Sequence, residues 1–327
     1  DRLFNKAVLP NILKWKQYPG RGKAAVLPAY TWLTENEIPV RGHCIIWPGW
    51  NYLPAELRRH EDDPDTLRRL CEERIASLMA DWSGQIAEWD VVNEVYMQDD
   101  LLQICGREIL VDWFKQVRRL DPGAKLYYND ANTLANHQPG HADHYYETIK
   151  WLREQGAPVD GMGFQSHIHA LVSPEIVYRR IDRFGTLGPD IQITEFDIQV
   201  PEISEELQAQ YARDYLLAVF SHPKTVGVIT WLGGMPLREM PTAHPDARSQ
   251  CAFFREDWSI KPIGQMWLDL AEKEWKTKAS GSTDEDGRFR TRGFHGRYKV
   301  SVTKGCAHKT TELQLGKQAE TIRLVID

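Results

Sequence analysis

Three features of the sequence predict an α/β fold, a parallel (β/α)8 TIM barrel followed by a small β module. Short β-rich runs alternate with amphipathic helical segments up to about residue 275, several of those runs are apolar on both alternating faces, and polar residues gather at their C-terminal ends. The units number about seven, one strand short of a closed eight-stranded barrel.

The predicted strands are "LFNKAVL" (3–9), "VRGHCIIW" (40–47), "IAEWDVVNE" (86–94), "KLYYND" (125–130), "GMGFQSH" (161–167), "IQITE" (191–195) and "VGVITW" (226–231). Between them, Leu67, Leu70, Cys71, Ile75, Leu78 and Met79 recur at helical spacing. So do Ile109, Leu110, Trp113, Phe114, Val117 and Leu120, and "DPG" stops that helix. Ser173 with Pro174 and Ser204 are the predicted caps of two further helices, and "PIGQMWLDLAEKEW" (262–275) reads as the closing one. A Ser/Thr/Gly-rich linker over 276–287 then leads to a β-rich module over 288–327, with strand-like runs in "RFRTRGFHGRYKVSVTKG" and "TIRLVID". The aromatics of the module, Phe289, Phe294 and Tyr298, read as its own small core rather than as a sugar platform.

The chain of 327 residues is 42% hydrophobic and 26% charged, with a formal net charge of -6, so it has material for a large core and no basic field for a phosphate backbone. Nucleic acid is therefore excluded as the expected partner. No apolar run reaches the ~18 residues of a membrane span. The start, "DRLFNKAVLP", has neither a Met nor a signal-like apolar stretch and reads as a trimmed or partial chain. Five cysteines lie far apart without a C-x-x-C pair, and His141 and His144, at helical spacing without a third ligand, read as surface residues; no metal or other cofactor is expected.

The residues at the strand ends are His43, Asn93 with Glu94, Asn129 with Asp130, Gln165 with His167, Glu195 with Asp197, and Trp231. In a parallel barrel these ends converge on one face, where such folds place their chemistry. Either acid alone reads equally as a solvated loop carboxylate. Two at equivalent positions form the pair that acetal cleavage requires, one holding a proton while the other stays ionised. Trp231, Trp47, Trp50 and Tyr96 offer apolar faces for sugar rings, with Tyr128 as a further candidate that reads equally as core.

The ordered motifs "WDVVNE", "YYNDAN", "GFQSH" and "ITEFDI" resemble the family 10 glycoside hydrolases, retaining endo-β-1,4-xylanases built on a (β/α)8 barrel, and the likeness runs from residue 4 to about 275. The resemblance implies that Glu94, ending the fourth barrel strand, is the general acid/base, and that Glu195, ending the seventh, is the nucleophile. It implies Asn93 as a donor to the sugar 2-hydroxyl, His167 as the partner of Glu195 with Asp197 behind it, Gln165 between substrate and carboxylates, and Trp231 as a sugar platform. Asn11 and Lys14 match the family's sugar-binding pair on the second barrel strand. The first strand is therefore the one absent here, and an upstream segment is expected to complete the barrel.

Three departures touch the substrate side: Pro10 stands where the family has Glu, Pro48 where it has a second His, and no second tryptophan follows Trp231. Arg238, in "LGGMPLREM", either contacts an acidic xylan decoration or pairs with Glu239. The implied activity is endo-hydrolysis of xylan or xylo-oligosaccharide outside the cytoplasm, secreted, periplasmic or at the cell surface. The alternatives are the same mechanism on another β-1,4-glycan or an oligosaccharide, and a non-catalytic glycan-binding barrel.

Overall fold

The computed structural model describes residues 3–9, 11–135, 138–200, 202–235, 251–316 and 318–326. The chain divides into two compact units, Asp1–Gln265 and Met266–Asp327.

The first unit is built on parallel strands: β1 (Ala7–Leu9), β2 (Val40–Gly42), β3 (Glu88–Asn93), β4 (Lys125–Asp130), β5 (Gly161–Phe164), β7 (Asp190–Ile198) and β8 (Thr225–Thr230) pair in that sequence. The two-residue β6 (His167–Ile168) pairs with the outer half of β7. Helices α1 (Tyr18–Glu35), α2 (Pro64–Trp82), α3 (Asp100–Cys105), α4 (Ile109–Leu120), α5 (Pro139–Glu154), α6 (Pro174–Gly185) and α7 (Glu205–Ser221) connect the strands. This is the (β/α)8 architecture, with seven of its strands among the described residues. Among the described residues β1 and β8 pair with one neighbour each and not with each other, so the missing strand falls at that seam.

Burial follows the topology. All residues of β3 and β5 are buried, as expected of strands with helices on one side and a barrel interior on the other. β8, at the seam, is half-exposed along its length. Trp82, Trp89 and Trp113 are the largest side chains of the core between sheet and helices.

Local chemistry sets the helix ends. Asp63 caps α2 by accepting from the Thr66 amide at 3.0 Å, with Pro64 in the first turn; Ser204 caps α7 through the Leu207 amide at 3.1 Å, as its sequence position predicts. Ser173 precedes α6 with Pro174 in its first turn, but its side chain makes no capping bond, so proline geometry alone starts that helix. The predicted strand 161–167 is broken in two because Ser166 takes the left-handed region at φ 62°, turning the chain between β5 and β6.

A buried charge network closes the lower barrel. The Arg41 guanidinium, 1% exposed, donates to Glu88 Oε2 at 3.0 Å and Gln192 Oε1 at 2.6 Å, pairs with Asp90, and stacks 4.3 Å from the Tyr127 ring. Such a cation is tolerable in the core because both terminal nitrogens face carboxylate or amide oxygens, although Nε has no partner among the described residues.

The helix α8 (Pro262–Asp269) runs into the second unit, whose sheet is the hairpin of β9 (Gly296–Lys304) and β10 (Ala307–Leu315). Gly305 at φ 58° opens its two-residue loop, the conformation such hairpins need. The strand expected in "TIRLVID" does not form over 321–326; the partner of β9 is instead "AHKTTELQL", which the tight turn places directly in register.

Candidate active site

Six of the eight non-glycine residues at positive φ among the described residues, Asn11, Glu94, Asn132, Ser166, Glu202 and Leu232, lie in the segments after barrel strands, so strained backbone concentrates on one face. Each costs of order 1–3 kcal/mol and persists where packing dictates it.

Glu94 directly follows β3, and a bulge in that strand aims the residues before it. Asp90 pairs with Tyr127, Val92 with Tyr128 and Asn93 with Asn129, leaving Val91 as the extra residue. Strict alternation would put Asp90 and Asn93 on opposite faces. With the bulge both face the interior: Asp90 meets Arg41 and places Oδ2 2.9 Å from His43 Nδ1, while Asn93 meets Asn129 and Gln165.

A chain of amides joins the two acids. Gln165 donates to Glu94 Oε1 at 2.7 Å and to Asn93 Oδ1 at 3.3 Å; Asn129 donates to Asn93 Oδ1 at 2.9 Å and to Glu195 Oε1 at 3.1 Å. Thr194 fixes the orientation of Asn129 by donating to its Oδ1 at 2.6 Å. A side chain at Gly163 would collide with that same oxygen, which explains a glycine in the middle of β5. Asn93 Nδ2 is buried with no partner among the described residues, a donor left for something the cleft admits.

The acids are held in different protonation states. Burial raises Glu94 to about 7, reinforced by the charges of Glu195 and Asp130 and opposed by the Gln165 hydrogen bond and by His43. Burial also opposes ionisation of Glu195, but the hydrogen bond from His167 and the charges of His43, His167 and Lys14 outweigh it and bring this carboxyl down to about 2. His167 places Nε2 3.1 Å from Glu195 Oε2 and Nδ1 3.0 Å from Asp197 Oδ1. Burial disfavours its charged form, yet the two carboxylates raise the imidazole to about 10, so it is a cation beside an anionic Glu195.

The remaining predicted residues fall around this pair or away from it. Lys14 Nζ lies 4.6 Å over the Trp47 ring, which stacks on Tyr52 with centroids 3.5 Å apart. The rings of Trp231 and His167 lie perpendicular, with centroids 5.7 Å apart. Asn11 stands exposed in the turn after β1. Tyr128 is fully buried, donates to Asp130 Oδ2 at 2.9 Å and packs edge-on against Tyr145, so it belongs to the wall rather than the cleft cluster. Arg238 and Pro10 lie outside the described residues. His141 is not the surface residue the sequence suggested: it is fully buried, with Nε2 3.0 Å from Asp130 Oδ1 and its ring stacked on Tyr96, whereas His144 is exposed. Among the described residues no group of three or more His, Cys, Asp or Glu side chains is arranged to hold a metal ion. Sequence reasoning missed the support behind the cluster: Asp90 behind His43, Thr194 behind Asn129, and Gln199 and Cys251 behind Asp197.

A parallel βα barrel with two acids joined by one hydrogen-bonded cluster at its C-terminal face, their carboxyl groups shifted in opposite directions, is the arrangement that suits the glycoside hydrolase class. The chain belongs to glycosyl hydrolase family 10, whose model matches residues 1–235. It is 32% identical over 320 residues to the anti-sigma-I factor RsgI6 of Acetivibrio thermocellus, covering 96% of this chain and 40% of that protein. It is 30% identical over 308 residues to endo-1,4-beta-xylanase 1 of Arabidopsis thaliana, covering 91% of this chain and 31% of that one. The chain thus spans less than half the length of these curated relatives. Among solved structures it superposes on xylanase 10B of Thermotoga petrophila RKU-1 in complex with xylobiose, with a TM-score of 0.72 and 26% identity, covering 83% of this chain and 86% of that chain. No helix among the described residues is long and apolar enough to cross a membrane.

Proposed function

We propose that this protein hydrolyses internal β-1,4-xylosidic bonds of xylan with retention of configuration, Glu195 acting as nucleophile and Glu94 as acid/base. The observation that carries the reading is the opposed ionisation of the two acids within one hydrogen-bonded cluster. Glu195 attacks the anomeric carbon as the glycosidic C–O bond breaks, and Glu94 passes its proton to the departing oxygen. With Glu195 consumed as an ester, the charge that helped to raise Glu94 is gone; the Glu94 carboxylate takes a proton from water, the water oxygen attacks the anomeric carbon, and Glu195 leaves as carboxylate. Asn93 Nδ2, lacking a protein partner, suits the sugar 2-hydroxyl, a contact that can tighten in the transition state. Gln165 and Asn129 hold the carboxylates in register; Trp231 supplies an apolar face, Trp47 backs Lys14, and Lys14 and His43 supply donors, for the sugar.

The polymeric substrate places the protein outside the cytoplasm in this reading, secreted or at the cell surface. An upstream segment would supply the missing strand between β1 and β8. The likeness to a protein named as an anti-sigma factor favours a second reading, a barrel that binds glycan as part of a sensing chain. Reducing-end assays on xylan, with NMR of the first-formed anomer, separate the two. The proposal expects sugar release with the β-anomer first; no release, unaltered by Glu94→Gln and Glu195→Gln, supports the binding reading.

A further inference from the structure

Behind the nucleophile, His167 and Asp197 face each other directly in the register of β6 against β7. A carboxylate in that position can rotate, and an oxygen that swings away takes its charge from the imidazole. Asp197 is held from the far side. Its Oδ2 accepts from Gln199 Nε2 at 2.7 Å and from the thiol of Cys251 at 3.3 Å, leaving Oδ1 3.0 Å from His167 Nδ1 as an ion-pair contact without hydrogen-bond geometry. Both carboxylate and thiol are shut from solvent, Asp197 2% and Cys251 4% exposed, and Leu232 and Met235 pack against Cys251 and Ala252. Gln199 is itself pinned, its backbone N–H donating to the Ile168 carbonyl of β6 at 2.8 Å. The two donors come from different parts of the chain, one just beyond β7 and one beyond β8.

The geometry points to Cys251 as a positioning residue: its thiol, with Gln199, clamps Asp197 so that His167 stays a cation against Glu195. Burial pushes the thiol up, away from thiolate, which keeps it a donor and makes it inert as a nucleophile. The other charged and titratable groups facing this relay are Glu195 on β7, His169 beyond β6, Lys14 and His43, whose charges act on Glu195, and the buried Lys261, whose charge acts on Cys251. None of them contacts Asp197 Oδ2 among the described hydrogen bonds, so the clamp rests on Gln199 and Cys251.

This inference rests on the proposed roles of Glu195 and His167, but its test does not need turnover. In protein carrying isotope-labelled histidine, His167 is titrated by NMR in the native chain and in Cys251→Ala, Cys251→Ser and Gln199→Leu. The alanine variant is expected to lower the His167 titration point, serine to restore it, and leucine at the half-buried position 199 to lower it again. On a xylobioside with an aryl leaving group, kcat of the alanine variant falls about two- to tenfold, the range set by one net hydrogen bond, with KM unchanged and the acidic limb of the pH profile moved upward. A merely structural cysteine would lower thermal stability and leave both the titration and the limb in place. Titration of His167 in Cys251→Ala identical to the native chain, or serine behaving as alanine, overturns the clamp. Should Cys251→Ala fail to fold, an unmoved His167 in Gln199→Leu overturns it in the same way. Absence of hydrolysis by the native protein would sink the proposed function while the titration still decides the clamp.

Discussion

Glu94→Gln should make the protein more stable at pH 8 while disabling it. The carboxyl sits at about 7 in the folded chain against an ordinary 4.5, and burial is the main cause. The folded state therefore binds this proton more tightly than the unfolded state. The group's stabilising contribution is complete below about 4.5 and is lost as pH rises through about 7, a total of up to about 3 kcal/mol at 1.36 kcal/mol per pKa unit. Glutamine keeps the shape and the hydrogen bond with Gln165 without the charge, so the variant escapes that loss. Urea unfolding of both proteins at pH 4.5 and pH 8 checks this. Near-equal stability at the lower pH and a variant gain of roughly 2–3 kcal/mol at the higher one are expected. A difference that does not change with pH would refute the claim that Glu94 is a proton-retaining group in a water-poor cleft.

Three further outcomes follow from the same geometry. kcat/KM on xylan should fall above about pH 7 as Glu94 loses its proton, and its acidic limb should lie near 2, where Glu195 takes one, unless unfolding intervenes first; a stopped assay across pH 2–9 with refolding controls reads both. Arg41→Met should cost up to about 3–5 kcal/mol in denaturant unfolding, because it removes the buried cation that Glu88 and Asp90 share and leaves them Lys6 and His43 alone, and adding Glu88→Gln and Asp90→Asn should recover part of that loss. Tyr128→Phe should destabilise by about 1–3 kcal/mol through the lost donor to Asp130 yet leave KM for xylo-oligosaccharides unchanged; a rise in KM would return Tyr128 to the cleft.

The barrel was legible because its signals are local and repeated: apolar runs such as "EWDVVNE" lie between helices with clear stops, and their polar ends mark one face. Helix α1 was not legible. Its segment carries Pro28 inside, Gly22 breaks helical geometry at φ 59°, and its apolar face is weak, so packing rather than propensity holds it. The acids could be named from sequence, but their environment could not. The bulge at Val91, which turns both Asp90 and Asn93 inward, depends on pairing with β4 and leaves no mark in a period-two pattern. Burial of His141 depends on Asp130 and Tyr96, and the Cys251 contact joins residues 54 positions apart. In the second unit, a two-residue turn overrode the β propensity of "TIRLVID".

The central step is the bond that Glu195 forms to sugar. Incubation with a 2-deoxy-2-fluoro xylobioside bearing a dinitrophenyl leaving group, followed by intact-mass and peptide mass spectrometry, measures it. The expected result is one added glycosyl mass, located on the peptide carrying Glu195 and absent from Glu195→Gln. A label on another residue, or turnover of the natural substrate with inverted product and no label, would contradict it.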